Sequence, residues 1–136
     1  MRKTDLKRIE SDVLGYARVR DVYERFSEYV AHVVGECCDG SLIHKVEHRA
    51  KTLSSFERKC KKEYKDGNRV GFLVYQNPME EITDFAGVRV IVYVKEYVDI
   101  VLGNLADSLL FLDKPEDVGE RVYSQKGFGY QSKHVL

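Results

Sequence analysis

Three separated segments of this chain combine residue types that bind phosphate groups or a metal ion. They span residues 49–59, 82–89 and 126–134. Their candidate site residues are Arg49, Lys51, Ser55, Lys59, Asp84, Arg89, Lys126, Tyr130 and His134. Arginine and lysine bind phosphate oxygens, and an aspartate can hold Mg²⁺ beside them. Together the segments predict an enzyme that handles a nucleotide and performs phosphoryl transfer.

The first segment predicts a clamp for a triphosphate. Arg49 and Lys51 are two residues apart, so on a strand they share one face. Ser55 and Lys59 are four residues apart, so on a following helix they share a face as well. An ordinary basic amphipathic helix shows the same spacing, and this segment alone leaves both interpretations open.

The second segment predicts a metal ligand and an unusual arginine. Asp84 follows a short helix that should begin at Pro78, after the cap residue Asn77. We expect Asp84 to bind Mg²⁺, and an aspartate at a helix end or turn is the alternative. Arg89 interrupts a run of valines, so it should pair with Asp84 or a glutamate, or face a site.

The third segment predicts a surface for a purine base. Gly127 and Gly129 provide a flexible approach to Tyr130, whose ring can carry a base by stacking. Lys126 or His134 can contact a phosphate. The alternative is a loop that ends in a half-buried edge strand.

A zinc motif is present in sequence but is not expected to function. His44, Glu47 and His48 fit a pattern that requires a helix. Residues 42–51 instead alternate between charged and other positions, which favours a strand, and no third ligand is evident.

Charge is balanced overall but not locally. The 22 basic and 22 acidic residues cancel, which argues against a general nucleic-acid binder. Residues 45–69 hold nine basic and four acidic residues, whereas residues 70–120 hold three and ten. This division suits an anionic ligand held partly by cations and partly through a metal, and two solvated faces of opposite sign are the alternative.

The length of 136 residues suits one domain. Three cysteines (Cys37, Cys38 and Cys60) form no disulfide framework, and no apolar stretch is long enough to cross a membrane. We therefore expect a cytoplasmic protein without membrane association.

Periodicity predicts alternating helices and strands. The predicted helices span residues 5–37 (one helix, or two broken near Gly15), 53–66 and 98–109. The predicted strands span residues 42–51, 87–94 (buried on both faces) and 130–136, and residues 113–129 are expected to form a polar loop.

The three segments resemble the synthetase domain of the RelA/SpoT alarmone synthetases. The resemblance covers residues 42–136 and rests on Arg-x-Lys-x-x-x-Ser-x-x-x-Lys, Asp-x-x-Gly-x-Arg and Gly-Tyr-x-Ser-x-His. It implies an α+β fold of the nucleotidyltransferase type (polymerase beta-like), in which helices flank a mixed sheet. Together with the helical periodicity before it, this predicts a helical segment over residues 1–40 followed by a synthetase domain over residues 41–136.

The resemblance implies transfer of pyrophosphate from ATP to the 3′-hydroxyl of GDP or GTP, yielding AMP and (p)ppGpp. By matching position, Asp84 would bind Mg²⁺ and Tyr130 would stack on the acceptor guanine. Residues matched to ATP binding are Arg49, Lys51, Ser55 and Lys59, with Arg89 assigned to the same group. Lys126 and His134 would contact phosphate of the acceptor.

The chain departs from the family pattern at its end. Family members carry a second acidic ligand in a Glu-x-Gln-x-Arg stretch that would follow Leu136. The domain is therefore expected to be incomplete, and a non-catalytic nucleotide-binding or oligomerisation module is one alternative. A toxin-type relative that pyrophosphorylates the tRNA 3′ end is another. A terminal strand with a free edge also predicts a homo-oligomer.

Overall fold

A computed structural model describes residues 1–109, 116–123 and 128–134 of the chain. The helices are α1 (Lys3–Cys37), α2 (Leu53–Cys60), α3 (Pro78–Glu81) and α4 (Tyr97–Ser108), with a 3₁₀ turn at Gly67–Arg69. The strands are β1 (Ile43–Ala50), β2 (Ala86–Val92), β3 (Glu116–Tyr123) and β4 (Phe128–His134). In the described residues β1 pairs with β2, and β3 pairs with β4 in antiparallel orientation. The fold is α+β, as predicted.

Lys3–Cys37 form one continuous helix, so Gly15 does not break it. Ile9, Tyr16, Ser27 and Val34 are its most buried residues. They are spaced by seven and eleven residues, which returns each to the same side of an α-helix. Burial of this face outweighs the cost of about 1 kcal/mol for a helical glycine.

The chain divides into two compact units. The first contains Met1–Val30 and His48–Val88, and the second contains Ala31–Glu47 and the described residues from Arg89 onward. In the second unit, Cys38, Val101 and Leu105 are buried.

The core of the first unit is built around aromatic rings. Tyr16 and Phe56 lie with their ring centroids 4.7 Å apart, and Phe85 lies 5.1 Å from Tyr16 and 5.8 Å from Phe56. The ring of Tyr23 stacks on Phe85 at 5.0 Å. The other buried members of this core are Ile9, Cys60, Leu73 and Ile82. The aromatic cluster therefore joins α1, α2 and the segment before β2.

The strand predicted over residues 42–51 is confirmed as β1. β1 ends at Ala50, directly before Lys51. Asp39 accepts a hydrogen bond from the backbone N–H of Ser41 at 2.9 Å, which stabilises the turn that leads into the strand. The short helix predicted at Pro78 is also confirmed, and the N–H of Asn77 donates to Glu81 at 2.8 Å.

The predicted helix over residues 53–66 is too long, because α2 ends at Cys60. After it, Glu63 pairs with Leu73 and Tyr64 pairs with Val70 as isolated β-bridges. The lysine-rich sequence has helical propensity, but Leu73 is 4 % exposed and its burial requires the chain to fold back here. Tertiary burial overrides local propensity at this point.

The prediction that residues 87–94 are buried on both faces is wrong. β2 ends at Val92, and its residues are half-buried or exposed. In the described part of the chain β2 has one partner, β1, and none of its residues is fully buried, so it is not a central strand covered on both faces.

The prediction of a polar loop over residues 113–129 is also wrong, because β3 occupies Glu116–Tyr123. Its register with β4 is irregular between Val118 and Arg121. An irregularity of this kind interrupts the two-residue alternation that identifies a strand in sequence. The final strand is confirmed but begins earlier, at Phe128.

None of the helices in the described residues is long and apolar enough to cross a membrane. The three cysteines are free thiols. Burial raises the pKa of Cys60 to about 11, so this thiol remains protonated at neutral pH.

The aromatic cluster predicts which substitution destabilises the fold most. Phe56 is completely buried, so Phe56→Ala should lower the free energy of unfolding by about 3–5 kcal/mol. Phe72 is 56 % exposed, and Phe72→Ala should change it by no more than about 0.5 kcal/mol. Urea unfolding of both variants measures the difference, and equal losses would contradict the assigned core.

Candidate active site

Three of the predicted site residues meet in the first unit. The Lys51 Nζ lies 2.8 Å from Asp84 Oδ2, and the Lys59 Nζ lies 2.8 Å from Asp84 Oδ1. Each carboxylate oxygen therefore has its own ammonium partner. We call this group the Lys51–Asp84–Lys59 cluster.

Lys51 is held where β1 ends. Its backbone N–H donates to the carbonyl of Phe85 at 2.7 Å, which places it beside the residue that follows Asp84. Its side chain is only 9 % exposed, whereas that of Asp84 is 49 % exposed. The ammonium group thus approaches the carboxylate from the protein side, and the carboxylate remains accessible.

Lys59 is positioned by α2. Thr52 caps this helix, since its hydroxyl accepts a hydrogen bond from the Ser55 N–H at 3.2 Å. Phe56 anchors the helix in the aromatic cluster, and Lys59 follows one turn later. The cap was not predicted, although a threonine directly before a helical segment is a typical sequence signal for one.

Asp84 is placed by buried neighbours on both sides. Ile82 is 4 % exposed and Phe85 is 5 % exposed, which anchors the short segment between α3 and β2 in the core. Asp84 itself is exposed to the lysines and to solvent. The physical cause of its position is the burial of its apolar neighbours.

The two lysines determine the charge state of Asp84. Partial burial raises the pKa of this carboxyl, but the hydrogen bonds and positive charges of Lys51 and Lys59 outweigh it, so the pKa is lowered. The carboxyl is therefore ionised at neutral pH. With two cations and one anion, the cluster carries one net positive charge and attracts anions.

Arg49 and Ser55 lie on the same two elements, β1 and α2. Arg49 is exposed, and its guanidinium makes no hydrogen bond or ion pair with any other described residue. Ser55 is half-buried in the first turn of α2. Both belong to the first unit together with the cluster.

Arg89 pairs with a glutamate, which was one of the predicted outcomes. Its Nη1 lies 3.8 Å from Glu47 Oε2, and its side chain is 64 % exposed rather than buried. Glu47 also binds Lys45 at 3.1 Å. These residues belong to the second unit, whereas the cluster belongs to the first.

The third candidate segment is only partly described. Lys126 lies outside the described residues, and for Tyr130 and His134 the structure describes the backbone alone. Both residues are in β4, where Tyr130 is the register partner of Arg121 and His134 that of Glu116.

The residues of the zinc motif lie on a strand, as predicted, and have other partners. His44 lies 5.3 Å from the Tyr93 ring, and the Nδ1 of His48 lies 3.2 Å from the Ser27 hydroxyl and 3.7 Å from Glu24. Among residues 1–109 and the described strands, no group of three or more possible metal ligands occurs.

A cavity in the described residues of the first unit lies away from the cluster. It has a volume of about 550 Å³ and is lined by residues between Tyr64 and Glu81, including Arg69 and Phe72. None of the three cluster residues lines it. The cluster is therefore identified by its charges and geometry, and the cavity does not contribute to that assignment.

The lowered pKa of Asp84 predicts a specific dependence of stability on pH. The stabilisation is fully present above the unfolded pKa, about 3.9, and is lost as pH falls through the lower folded value. Asp84→Asn should therefore flatten the loss of stability below about pH 4, measured by urea unfolding at several pH values. The exposed Asp66 provides the matched control Asp66→Asn, which should follow the wild-type curve. An Asp84→Asn curve parallel to wild type would contradict the pairing.

Comparison with known proteins identifies the family. Residues 48–136 match the sequence model of the region found in RelA / SpoT proteins, and this match includes the whole cluster. Neither the curated proteins nor the solved structures provide a significant match. The matched region covers more than half of the chain, and the chain therefore belongs to the RelA/SpoT family.

Proposed function

We propose that this protein is a Mg²⁺-dependent pyrophosphokinase that transfers pyrophosphate from ATP to the 3′-hydroxyl of GDP or GTP. The observation that carries the proposal is the Lys51–Asp84–Lys59 cluster, which lies inside the region matched to the RelA/SpoT family. We further propose that this region adopts the nucleotidyltransferase-like arrangement implied by the resemblance.

In this proposal the two lysines bind the phosphates of ATP. A triphosphate brings several negative charges close together, so it can compete with a single carboxylate for both ammonium groups. Lysine acts here as a compact point charge. The exposed Arg49 provides a guanidinium near the same strand end, for phosphate or for stacking on adenine. Ser55 adds a hydroxyl from the first turn of α2. The assignment of Arg89 to ATP stays a prediction that rests on the family resemblance.

Asp84 is the proposed ligand for Mg²⁺. Its carboxylate oxygens are the donor type that Mg²⁺ prefers, and protein sites for this ion usually supply only one or two carboxylates and leave other positions to phosphate. Both oxygens are engaged by Lys51 and Lys59, so the fit requires the lysines to move to the phosphates of ATP. When bound, Mg²⁺ neutralises charge on the transferring group.

The proposed reaction forms one P–O bond and breaks another. The 3′-oxygen of the acceptor forms a bond to the β-phosphorus of ATP and releases its proton to solvent. The bond between that phosphorus and the oxygen that bridges to the α-phosphate breaks, and AMP leaves with the electron pair. As the proposed ligand of Mg²⁺, Asp84 would have its carboxylate engaged by the ion, so its proposed role is to hold charge rather than to act as a general base.

The acceptor site is proposed on the third segment. Tyr130 is assigned to stack on guanine, and Lys126 and His134 are assigned to contact phosphate. These assignments follow the Gly-Tyr-x-Ser-x-His pattern of the family and stand as proposals. Homo-oligomerisation stays a prediction in the same sense.

Substitution of single lysines tests the ATP site. Lys51→Ala and Lys59→Ala should each raise the KM for ATP about tenfold or more, because a charged hydrogen bond to phosphate is lost. Lys61 follows α2 directly, pairs with Glu57 at 2.7 Å and does not contact Asp84, so Lys61→Ala is the matched control. It should keep the KM for ATP within about twofold. Equal effects of all three substitutions would show that general surface charge, rather than the cluster, binds ATP.

Product analysis tests the reaction itself. The protein, expressed from its natural reading frame, is incubated with Mg²⁺, labelled ATP and either GDP, GTP or tRNA. We expect AMP together with a 3′-pyrophosphorylated guanine nucleotide, and loss of both products in Asp84→Asn. Label on the tRNA 3′ end alone would replace the acceptor assignment. Nucleotide binding that ignores Mg²⁺, without any transfer, would replace the enzyme by a binding module.

A further inference from the structure

Helix α1 reaches the backbone of the candidate site through two side chains. The Tyr16 hydroxyl donates to the carbonyl oxygen of Lys51 at 2.6 Å, and the Arg20 Nε donates to the same oxygen at 3.1 Å. A carbonyl oxygen has two lone pairs, so these two donors satisfy it fully. Both residues precede the family match, which begins at residue 48, and no role is assigned to them by that match.

The two peptides on either side of Ala50 are also bound by α1. Arg20 Nη2 lies 3.5 Å from the Ala50 carbonyl oxygen, and Glu24 Oε2 accepts a hydrogen bond from the Ala50 N–H at 2.9 Å. Arg20 and Glu24 are themselves 3.9 Å apart. Tyr16, Arg20 and Glu24 follow at steps of four, so one side of α1 contacts three successive peptides, 49–50, 50–51 and 51–52.

Lys51 is consequently constrained on both sides of its Cα. Its N–H is bonded to Phe85 and its carbonyl to Tyr16 and Arg20. With the backbone fixed at both peptides, the direction in which its side chain leaves the strand is fixed as well. That direction brings the ammonium group to Asp84.

We infer that Tyr16 and Arg20 are positioning residues that hold the Lys51 peptide so that the Lys51 ammonium stays in the cluster. In the proposed reaction, on which the kinetic part of this inference rests, they keep that ammonium aligned with the phosphates of ATP. Neither residue is assigned a contact with nucleotide. The ATP site is therefore completed by a helix outside the matched family region.

The burial of Tyr16 supports this role. The residue is completely buried, and the Lys51 carbonyl is the partner of its hydroxyl, so loss of this bond would leave a buried polar group unsatisfied. Burial also raises the pKa of Tyr16, which keeps the phenol protonated and able to donate at neutral pH.

The chain offers matched variants for each residue. Tyr16→Phe removes the donor but keeps the ring in the aromatic cluster. Tyr23→Phe removes a hydroxyl from the same helix and the same cluster, and no hydrogen bond of that hydroxyl to another described residue is present. Arg20→Met removes the second donor. Arg18→Met makes the same substitution at an exposed position of α1 and leaves that donor in place.

The kinetic test compares the two substrates. Tyr16→Phe should raise the KM for ATP about two- to tenfold, the effect of one lost hydrogen bond on an equilibrium constant. Arg20→Met removes bonds to both Lys51 and Ala50, so it should raise the KM at least as much. The KM for the guanine nucleotide should stay within about twofold, because the acceptor is assigned to a different segment. Tyr23→Phe and Arg18→Met should match wild type. A loss that is equal for both substrates, or equal in the controls, would indicate general destabilisation and overturn the inference.

A second test does not depend on enzymatic activity. The rate at which an amine-acylating reagent modifies each lysine is followed by mass spectrometry. Lys51, with a side chain 9 % exposed, should react more slowly than Lys59, which is 35 % exposed. The double variant Tyr16→Phe with Arg20→Met should accelerate acylation of Lys51 about two- to tenfold and leave Lys59 unchanged.

The two tests separate the inference from the proposed function. Faster acylation of Lys51, in a protein that makes no pyrophosphorylated product, would refute the reaction and support the positioning role. An active enzyme whose Lys51 reacts at the wild-type rate in the double variant would support the reaction and refute the positioning role.

Discussion

The contact among three aromatic rings is the constraint on which the candidate site depends. Tyr16, Phe56 and Phe85 lie on three different segments, and each ring centroid is within 5.8 Å of the other two. Each ring is close in sequence or space to one residue of the Lys51–Asp84–Lys59 cluster. Phe85 follows Asp84, Phe56 precedes Lys59 by one turn of α2, and Tyr16 binds the Lys51 carbonyl. Burying these rings together therefore brings the charged groups together, because hydrophobic burial supplies the energy that opposes desolvation of the charges.

The charges of the cluster suit an anionic ligand better than a structural ion pair. One carboxylate is shared by two ammonium groups, and Asp84 remains about half exposed. As a structural ion pair, the exposed Lys59–Asp84 contact would contribute only about 0–1 kcal/mol. The cluster has one more cation than anion and is open to solvent at Asp84, so a phosphate group can supply the second negative charge. The membership of the chain in the RelA/SpoT family agrees with this physical interpretation.

The sequence predicted part of this arrangement from motifs and part of the fold from periodicity. The long α1, the strand that carries Arg49 and the short helix after Asn77 were predictable, because each rests on local spacing or on a cap residue. The end of α2 was not predictable, because the residues that follow this helix form β-bridges with Val70 and Leu73 instead of continuing the helix. β3 was missed, since an irregular register between Val118 and Arg121 removes the alternation of a regular strand.

By itself the sequence determined which chemistry is available: the basic residues of the first segment, the aspartate of the second, and their order along the chain. It also determined the local elements, because helix and strand periodicity depend on near neighbours. Only the tertiary structure decided that Lys51 and Lys59 share Asp84, that Arg89 pairs with Glu47 instead, and that α1 holds the Lys51 peptide. These contacts join residues between 25 and 42 positions apart, and the side-chain packing that creates them leaves no periodic signal in the chain.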